Sequence, residues 1–520
     1  MPESSGNPLL SHPRVRQFLF DSRWFAGKGK GIERLSFIER KKVYETENGE
    51  QAFLSLILIE FSDASYQTYF MPYVLLHAGE IPCEGAVEIS KGYWFTDALQ
   101  SEKFRQYLYE DAVYESMKLS GDNKHHRNAT LPENYRESVL LSADQSNSAF
   151  EVNGKYFCKV FRQVRKGINT DAEVLLYFTR HTNFRKVPLY IAGFDIDVPN
   201  PWEELNGHAL ASNRYLVMSV IQKVHNRGDA WQIFREFAGN FYREALNEKI
   251  ELLSYPEIRE TTDRIIREKF GIGFFHKLEK LAAITAEMHL AMRENPDELF
   301  GFCSEALQEN KALLLEELDK TCQRLHKHSL KEAGNNQDAK PMFEEATLHV
   351  MQTRLKTIMQ EAPSLTCIRI HGDYHLGQLL WTGDDFVVID FEGEPGKSQE
   401  LRRNKFPVHK DLAGMLRSFS YAALVALDSL NNEAPGIDKL LRPFANAWIR
   451  IVSDTFYERY LYVLKNSDLV YASEKDNKQL LDFFMMQKAI YEFDYEYHNR
   501  PQWTQIPMHG IQELMEHLST

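Results

Sequence analysis

Between residues 371 and 395 the chain reads HGDYHLGQLLWTGDDFVVIDFEGEP, and its acids and amide stand at intervals that suit phosphoryl transfer. Asp373 follows the mostly apolar run Cys367–Ile370, which reads as the end of a buried strand. Gln378 lies five residues on, a neutral oxygen ligand. A hairpin turning at Thr382-Gly383-Asp384-Asp385 then leads into Phe386–Phe391 and presents Asp390. Phosphoryl transfer asks a protein for positioning and charge neutralisation more than for covalent help. One acid must take or orient the proton of the accepting hydroxyl, the role that falls to Asp373. A second carboxylate must hold Mg²⁺ against the phosphates, with a neutral oxygen completing the shell; Asp390 and Gln378 fit. A carboxylate closing an apolar run is costly unless paired or metal-bound, which singles out Asp390. Glu392 and Glu394 read equally as metal-site acids and as solvated side chains, and His375 as a structural hydrogen-bonder. The bland alternative for the whole segment is a surface hairpin with solvated acids.

A nucleotide needs further groups upstream. Gln145-Ser146-Asn147-Ser148 sits between two strand-like runs, a small polar turn whose N–H groups and hydroxyls suit phosphates. Lys159, in the strand-like Tyr156–Phe161, suits the α/β-phosphates, with Glu173 opening the next helix as its partner acid. The competing readings are a solvated edge-strand lysine and a helix-dipole complement.

Three regions must position these groups. Residues 1–130 carry the strand-like Ala52–Phe61 and Tyr66–Leu76, joined by the turn-like Ser62–Ser65. The polar stretch Leu119–Pro132 marks a boundary. Residues 131–225 read strand, turn, strand, a helix from near Asp171, then strands at Val187–Phe194 and Tyr215–Ile221. Residues 226–520 are helical, with amphipathic segments at Gly273–Met292, Ser304–His328 and Phe343–Gln360, interrupted by a strand–turn–strand element at Ile368–Phe391. Helices return from Asp411, and Gly334–Lys340 reads as a disordered loop. The fold class expected is α+β.

Composition narrows the partners. The 520 residues are 43% hydrophobic, 26% charged and 12% aromatic, with a net charge of −13. That charge excludes a basic nucleic-acid-tracking surface. Five scattered cysteines without a CxxC pair argue for reduced thiols and against a disulfide frame or zinc site. The N-terminus lacks a signal-peptide pattern, and no apolar run approaches the ~18 residues of a membrane span. The expectation is a soluble cytoplasmic protein.

HGDYHLGQLL, DFEGEP and KDLAGMLRSFSYAA together resemble bacterial maltokinases, of the aminoglycoside-phosphotransferase-like, protein-kinase-like superfamily. H-G-D stands where protein kinases have H-R-D, and D-F-E where they have D-F-G. Similar signatures lie at Arg23–Lys28 (RWFAGK), Asn226–Trp231 (NRGDAW), Thr285–His289 (TAEMH), Tyr491-Glu492 and Asn499-Arg500-Pro501. The resemblance implies a bilobal kinase: an N-terminal cap, a β-rich nucleotide lobe and a helical lobe carrying the sugar site. It implies ATP and Mg²⁺, with maltose phosphorylated to maltose 1-phosphate for an α-glucan route that starts from trehalose. A trehalose synthase is the implied protein partner. Asp411 would bind sugar hydroxyls or cap its helix. Arg417, one helical turn before Tyr421, would serve the sugar side or brace the metal acids. His371, Tyr491, Glu492, Tyr495 and Trp503 complete the acceptor candidates, each also readable as core packing. The chain departs from the pattern in extra length around Ser116–Pro132 and Ser329–Lys340, in Gln222 where Glu is expected, and in Asp494 where relatives carry a basic residue. Other readings are a kinase for another sugar, such as glucosamine, or a non-catalytic partner of a trehalose-converting enzyme.

Overall fold

The computed structural model describes residues 8–77, 85–121, 132–141, 147–198, 213–248, 253–293, 305–334, 345–394 and 397–519. The apolar run read as a strand extends over Gln51–Phe61, and nearly all of it is buried. Such two-sided burial requires cover on both faces, which is why the run is continuous rather than alternating. One edge pairs antiparallel with the long strand Ile32–Glu45. The other pairs with Tyr66–Phe70 and then Tyr73–His77. The expected single strand over Tyr66–Leu76 is thus broken at Met71-Pro72, where proline lacks the N–H a ladder needs. The turn before it is as read: the Phe61 N–H reaches the Ser65 carbonyl at 2.9 Å. Gln163–Val164, Tyr93–Asp97 and Val87–Ser90 complete a seven-stranded sheet.

A second, antiparallel sheet has the order Tyr190–Val198, Asn213–Gln222, Tyr156–Val160, Ser148–Val152, Ser138–Leu140, and the helix Thr170–His181 follows its central hairpin. Residues 1–180 and 188–223 form one compact unit containing both sheets. Aromatic and aliphatic residues of the two sheets share its main core, including Leu56, Phe70, Phe150, Val160 and Val217. A separate cluster holds Trp24, Phe25, Phe61 and Tyr69.

Residues 181–187 and 224–520 form the other unit. At its centre lies the helix His409–Glu433, with seventeen buried residues. The helices Ala230–Ala245, Ile437–Leu464 and Glu474–Asn499 pack around it. The expected amphipathic helices occupy Gly271–Arg293, Leu307–Gly334 and Glu345–Glu361. The interrupting element is a strand, Thr366–Arg369, followed by the hairpin Leu379–Trp381 and Phe386–Val388. The architecture is α+β, as expected from the sequence.

The helix Glu102–Gly121 runs into the stretch expected as a boundary, whose residues 122–131 lie outside the described residues, as do 335–340 of the expected disordered loop. Cys83 and Cys303 also lie outside them, while Cys158, Cys322 and Cys367 are free and buried. Among the described residues no helix is long and apolar enough to cross a membrane.

Candidate functional site

The strand Thr366–Arg369 delivers the chain to His371, which is 1% exposed. The His371 Nε2 lies 3.0 Å from the Ile389 carbonyl, and its ring packs on Phe391 at 4.7 Å. That bond ties the start of the loop to the end of the hairpin. Gly372 follows at φ +87°, and a Cβ there would stand 3.2 Å from the Gly393 Cα. Only glycine enters that conformation without strain, which explains G in place of R between His and Asp. Asp373 then emerges half-buried, its Oδ1 accepting from Lys488 Nζ at 3.2 Å. Burial works against the charge on Lys488, but Asp373 first, then Glu492 and Glu394, outweigh it, so its pKa is raised.

Asp411 fixes this loop from beneath. It is 1% exposed, and its Oδ2 accepts from the His371 N–H at 2.8 Å and its Oδ1 from the Gly372 N–H at 2.9 Å. His289 Nε2 lies 3.1 Å from the same Oδ2, with its Nδ1 2.7 Å from the Tyr460 hydroxyl. Burial alone would raise the Asp411 pKa, but the His289 bond and charge and the Gly372 N–H bring it below the usual value. Gly414, one turn on, permits the close approach: a Cβ there would meet the Tyr374 carbonyl at 2.4 Å. Tyr374 is held in turn by Thr285, hydroxyl to hydroxyl at 2.8 Å.

The hairpin presents the metal-type acids. Asp390 sits at φ +66°, a left-handed conformation that Asp tolerates better than most residues. Carboxylate oxygens of Asp390 and Glu392 lie within 4.8 Å of one another. Gln378 stands beside them, its Nε2 3.3 Å from Asp390 Oδ2. This hard-oxygen set fits Mg²⁺. The hairpin is gripped on one edge by the NRGDAW segment, where the Arg227 N–H donates to the Trp381 carbonyl at 2.7 Å and the Trp381 N–H to Gly228 at 2.9 Å. On the other side, the Val388 N–H donates to the Lys186 carbonyl at 2.8 Å, and Lys186 pairs with Asp385.

In the first unit, Lys159 Nζ donates to Asp171 Oδ2 at 3.0 Å, both side chains being buried. Asp171 opens the helix Thr170–His181, its N–H capped by Asn169 Oδ1 at 2.8 Å, and Glu173 is buried two residues on. Lys159 thus pairs with Asp171, an acid that sequence reasoning passed over in favour of Glu173. Of the turn, Gln145 and Ser146 lie outside the described residues. Asn147 is half-buried, and the Ser148 Oγ accepts from Arg162 Nε at 2.8 Å.

A cavity with about 550 Å³ of empty space, mouth included, opens beside Asp373, lined among others by Glu317, Glu394, Lys397, Lys410, Lys488 and Tyr491. Of the residues expected on the acceptor side, Tyr491 lines it. His371 and Asp411 brace the loop as described. Arg417, 3% exposed, donates from Nε to Glu492 Oε2 at 2.8 Å, so it pairs with another expected sugar contact rather than with the metal acids. Tyr421 is buried, with its hydroxyl 3.3 Å from Glu496 Oε1. Trp503 stacks against the Arg500 guanidinium at 4.4 Å, and Tyr495 is 45% exposed. The residues sequence reasoning missed are His289 and Lys488. His289 lay inside a quoted motif, so its signal was present; Lys488, three residues before Tyr491, carried none beyond that proximity.

No protein-family model matches the chain. Among curated proteins it is similar to the glucosamine kinase of Streptacidiphilus jiangxiensis, 25% identical over 178 residues, which are 34% of this chain and 38% of the relative. The glucosamine kinase of Mycolicibacterium smegmatis is 31% identical over 147 residues, 28% of this chain and 34% of the relative. The matches thus span little more than a third of the length of these curated relatives. Among solved structures, a glucosamine kinase in complex with glucosamine, ADP and inorganic phosphate aligns over 97% of this chain and 99% of its own, with a TM-score of 0.55 and 16% identity. A second crystal structure of glucosamine kinase gives the same TM-score at 15% identity. At such identity the likeness establishes the fold, which is protein-kinase-like.

Proposed function

We propose that the chain is an ATP-dependent sugar kinase that phosphorylates maltose at its anomeric hydroxyl, giving maltose 1-phosphate and ADP. The observation that carries the kinase reading is Asp373, held half-buried by Lys488 beside an open cavity lined by charged side chains. In this reading the acceptor hydroxyl lies in the cavity and its oxygen attacks the γ-phosphorus. Its proton passes to the Asp373 carboxylate, and the bond to the β-phosphate oxygen breaks to release ADP. Asp390, Glu392 and Gln378 are the residues that would hold Mg²⁺. When bound, the ion neutralises phosphate charge and fixes the phosphates for in-line transfer. Asn147, Ser148, Lys159 and Glu173, with Ser146 of the same turn, are assigned to the nucleotide, Lys159 being held by its ion pair with Asp171.

Maltose rests on the signatures spread from Arg23 to Pro501. The product would feed α-glucan synthesis from trehalose in the cytoplasm, with a trehalose synthase as the partner enzyme. A second reading, glucosamine as acceptor, is favoured by the names of the similar proteins and by the glucosamine-bound structure that shares the fold. ADP release measured over maltose, glucose, glucosamine, trehalose and water alone separates the two. Maltose should be preferred, and the product should lose its reducing end. Maltose turning over no better than glucosamine or glucose would end the maltokinase assignment and leave the kinase class.

A further inference from the structure

The cavity beside Asp373 is lined by charges of both signs, and they are paired. Lys397 donates to Glu317 at 2.6 Å, Lys410 stands 3.6 Å from Glu394, and Lys488 donates to Asp373 at 3.2 Å. Arg324, also on the lining, faces Asp494 at 3.5 Å. Counted with Asp373 and Asp494, the partners that stand beside the lining, the four cations of this wall face four carboxylates, so donors alternate with acceptors at little net charge. Hydroxyls, which donate and accept, match it; a protonated amine meets ammonium groups at the points where it needs acceptors.

Lys488 is distinctive because it touches the base itself. Its ammonium engages Oδ1 of Asp373, and among the described residues no hydrogen bond reaches Oδ2. Behind it, Glu492 is neutralised by the buried Arg417, so the Asp373–Lys488–Glu492–Arg417 row alternates in sign. The Tyr491 ring lies 5.2 Å from the same ammonium.

Building on the proposed kinase activity, we infer that Lys488 is the specificity-determining and positioning residue of the acceptor site: it turns Asp373 Oδ2 toward the acceptor hydroxyl and selects uncharged polyhydroxyl acceptors against cationic amino sugars. Replacing it with a neutral side chain leaves one carboxylate uncompensated at the point of reaction. That misorients the base and at the same time makes the cavity more hospitable to an amine.

The test compares the wild type, Lys488→Met and Lys488→Arg, each with maltose and with glucosamine, following kcat, KM for sugar, KM for ATP and the thermal midpoint. Lys488→Met should lower kcat for maltose by about 10- to 100-fold, the scale of a lost charged contact to a catalytic group. KM for ATP should stay within about twofold. The ratio of kcat/KM for maltose over glucosamine should fall at least about tenfold, and Lys488→Arg should restore most of that ratio, which a role in folding alone does not give. An unchanged ratio in Lys488→Met, with or without a loss of kcat, overturns the inference while leaving the kinase reading standing. A wild type that phosphorylates no sugar overturns both.

Discussion

Replacing Asp411 with Asn keeps the shape of the side chain and removes the charge on which three donors converge. In the wild type the His371 N–H and His289 share Oδ2, and the Gly372 N–H takes Oδ1. An asparagine oriented for least damage puts its oxygen at the Oδ2 position and keeps two of the bonds. Its NH₂ then faces the Gly372 N–H, donor against donor. One part-buried backbone N–H left without an acceptor costs about 1–3 kcal/mol. The two surviving bonds change from charged to neutral acceptors and lose about 1 kcal/mol each. Relief from burying a carboxylate offsets part of this. The net is about 2–4 kcal/mol, concentrated in the conformation that presents Asp373. At ~1.4 kcal/mol per decade, that depletes the competent loop by roughly 30- to 1000-fold. The assay is kcat and both KM values for the favoured sugar and ATP, beside urea midpoints of wild type and Asp411→Asn. Expected are a large fall in kcat, a lower midpoint and little change in KM for sugar. The pH dependence follows from the depressed pKa of Asp411. Its stabilisation is present above the unfolded value of about 4 and lost as pH falls below it, so the two midpoints should converge in acid. A variant with unchanged kcat and midpoint but a raised KM for sugar would put the carboxylate on the substrate and refute the bracing role.

Asp373→Asn should keep ATP affinity and reduce turnover by roughly 10²–10⁴-fold, the usual range for a positioned proton acceptor; retention of a tenth of the wild-type rate removes it from that role. Asp390→Ala should abolish Mg²⁺-dependent turnover and weaken MgATP binding more than sugar binding, and calorimetry returning an unchanged MgATP affinity counts against it as a ligand. Burial brings the His409 pKa down from 6.5 to about 4, with Asn477 Oδ1 3.1 Å from its Nε2. Its contribution to stability is therefore full above pH 6.5 and lost as pH falls toward 4, at ~1.4 kcal/mol per unit; urea midpoints of His409→Gln should vary less with pH across that window, and an equal slope would dissociate His409 from it.

Local chemistry was readable wherever it depended on neighbours in the chain. Residues 371–392 carry Asp373, Gln378 and Asp390 on one strand end and one hairpin, so their placement, though not their role, was legible from spacing alone. The apolar run at Gln51–Phe61 was equally plain, because two-sided burial leaves few polar positions, here Gln51, Ser55 and Glu60. Pro72 was a legible interruption of the next strand, and the expectation of one strand over Tyr66–Leu76 gave too little weight to its missing N–H. The acceptor side was hard to read for a different reason. Asp411, Arg417 and Tyr421 recur at helical spacing, but spacing does not say what lies opposite each face. All three turned out to face the interior of their unit, against the His371–Asp373 loop and the helix Glu474–Asn499.

What local reading cannot supply is the partner brought in from far along the chain. Lys488 meets Asp373 across 115 positions and His289 meets Asp411 across 122. Neither lysine on an amphipathic helix nor histidine within an apolar stretch is unusual, so neither is conspicuous by type. Each becomes meaningful only through what it touches: Lys488 meets Asp373 itself, and His289 meets Asp411, the acid that holds the His371 and Gly372 N–H groups. In the proposed reading the loop sequence specifies the chemistry, whereas these two distant side chains determine how the base is held. A substitution at either should therefore change the rate without changing any residue that the catalytic motif contains. That separates them from Asp390, whose loss should also change nucleotide affinity, and it makes the ratio of kcat to KM effects, rather than activity alone, the quantity that sorts bracing residues from binding ones.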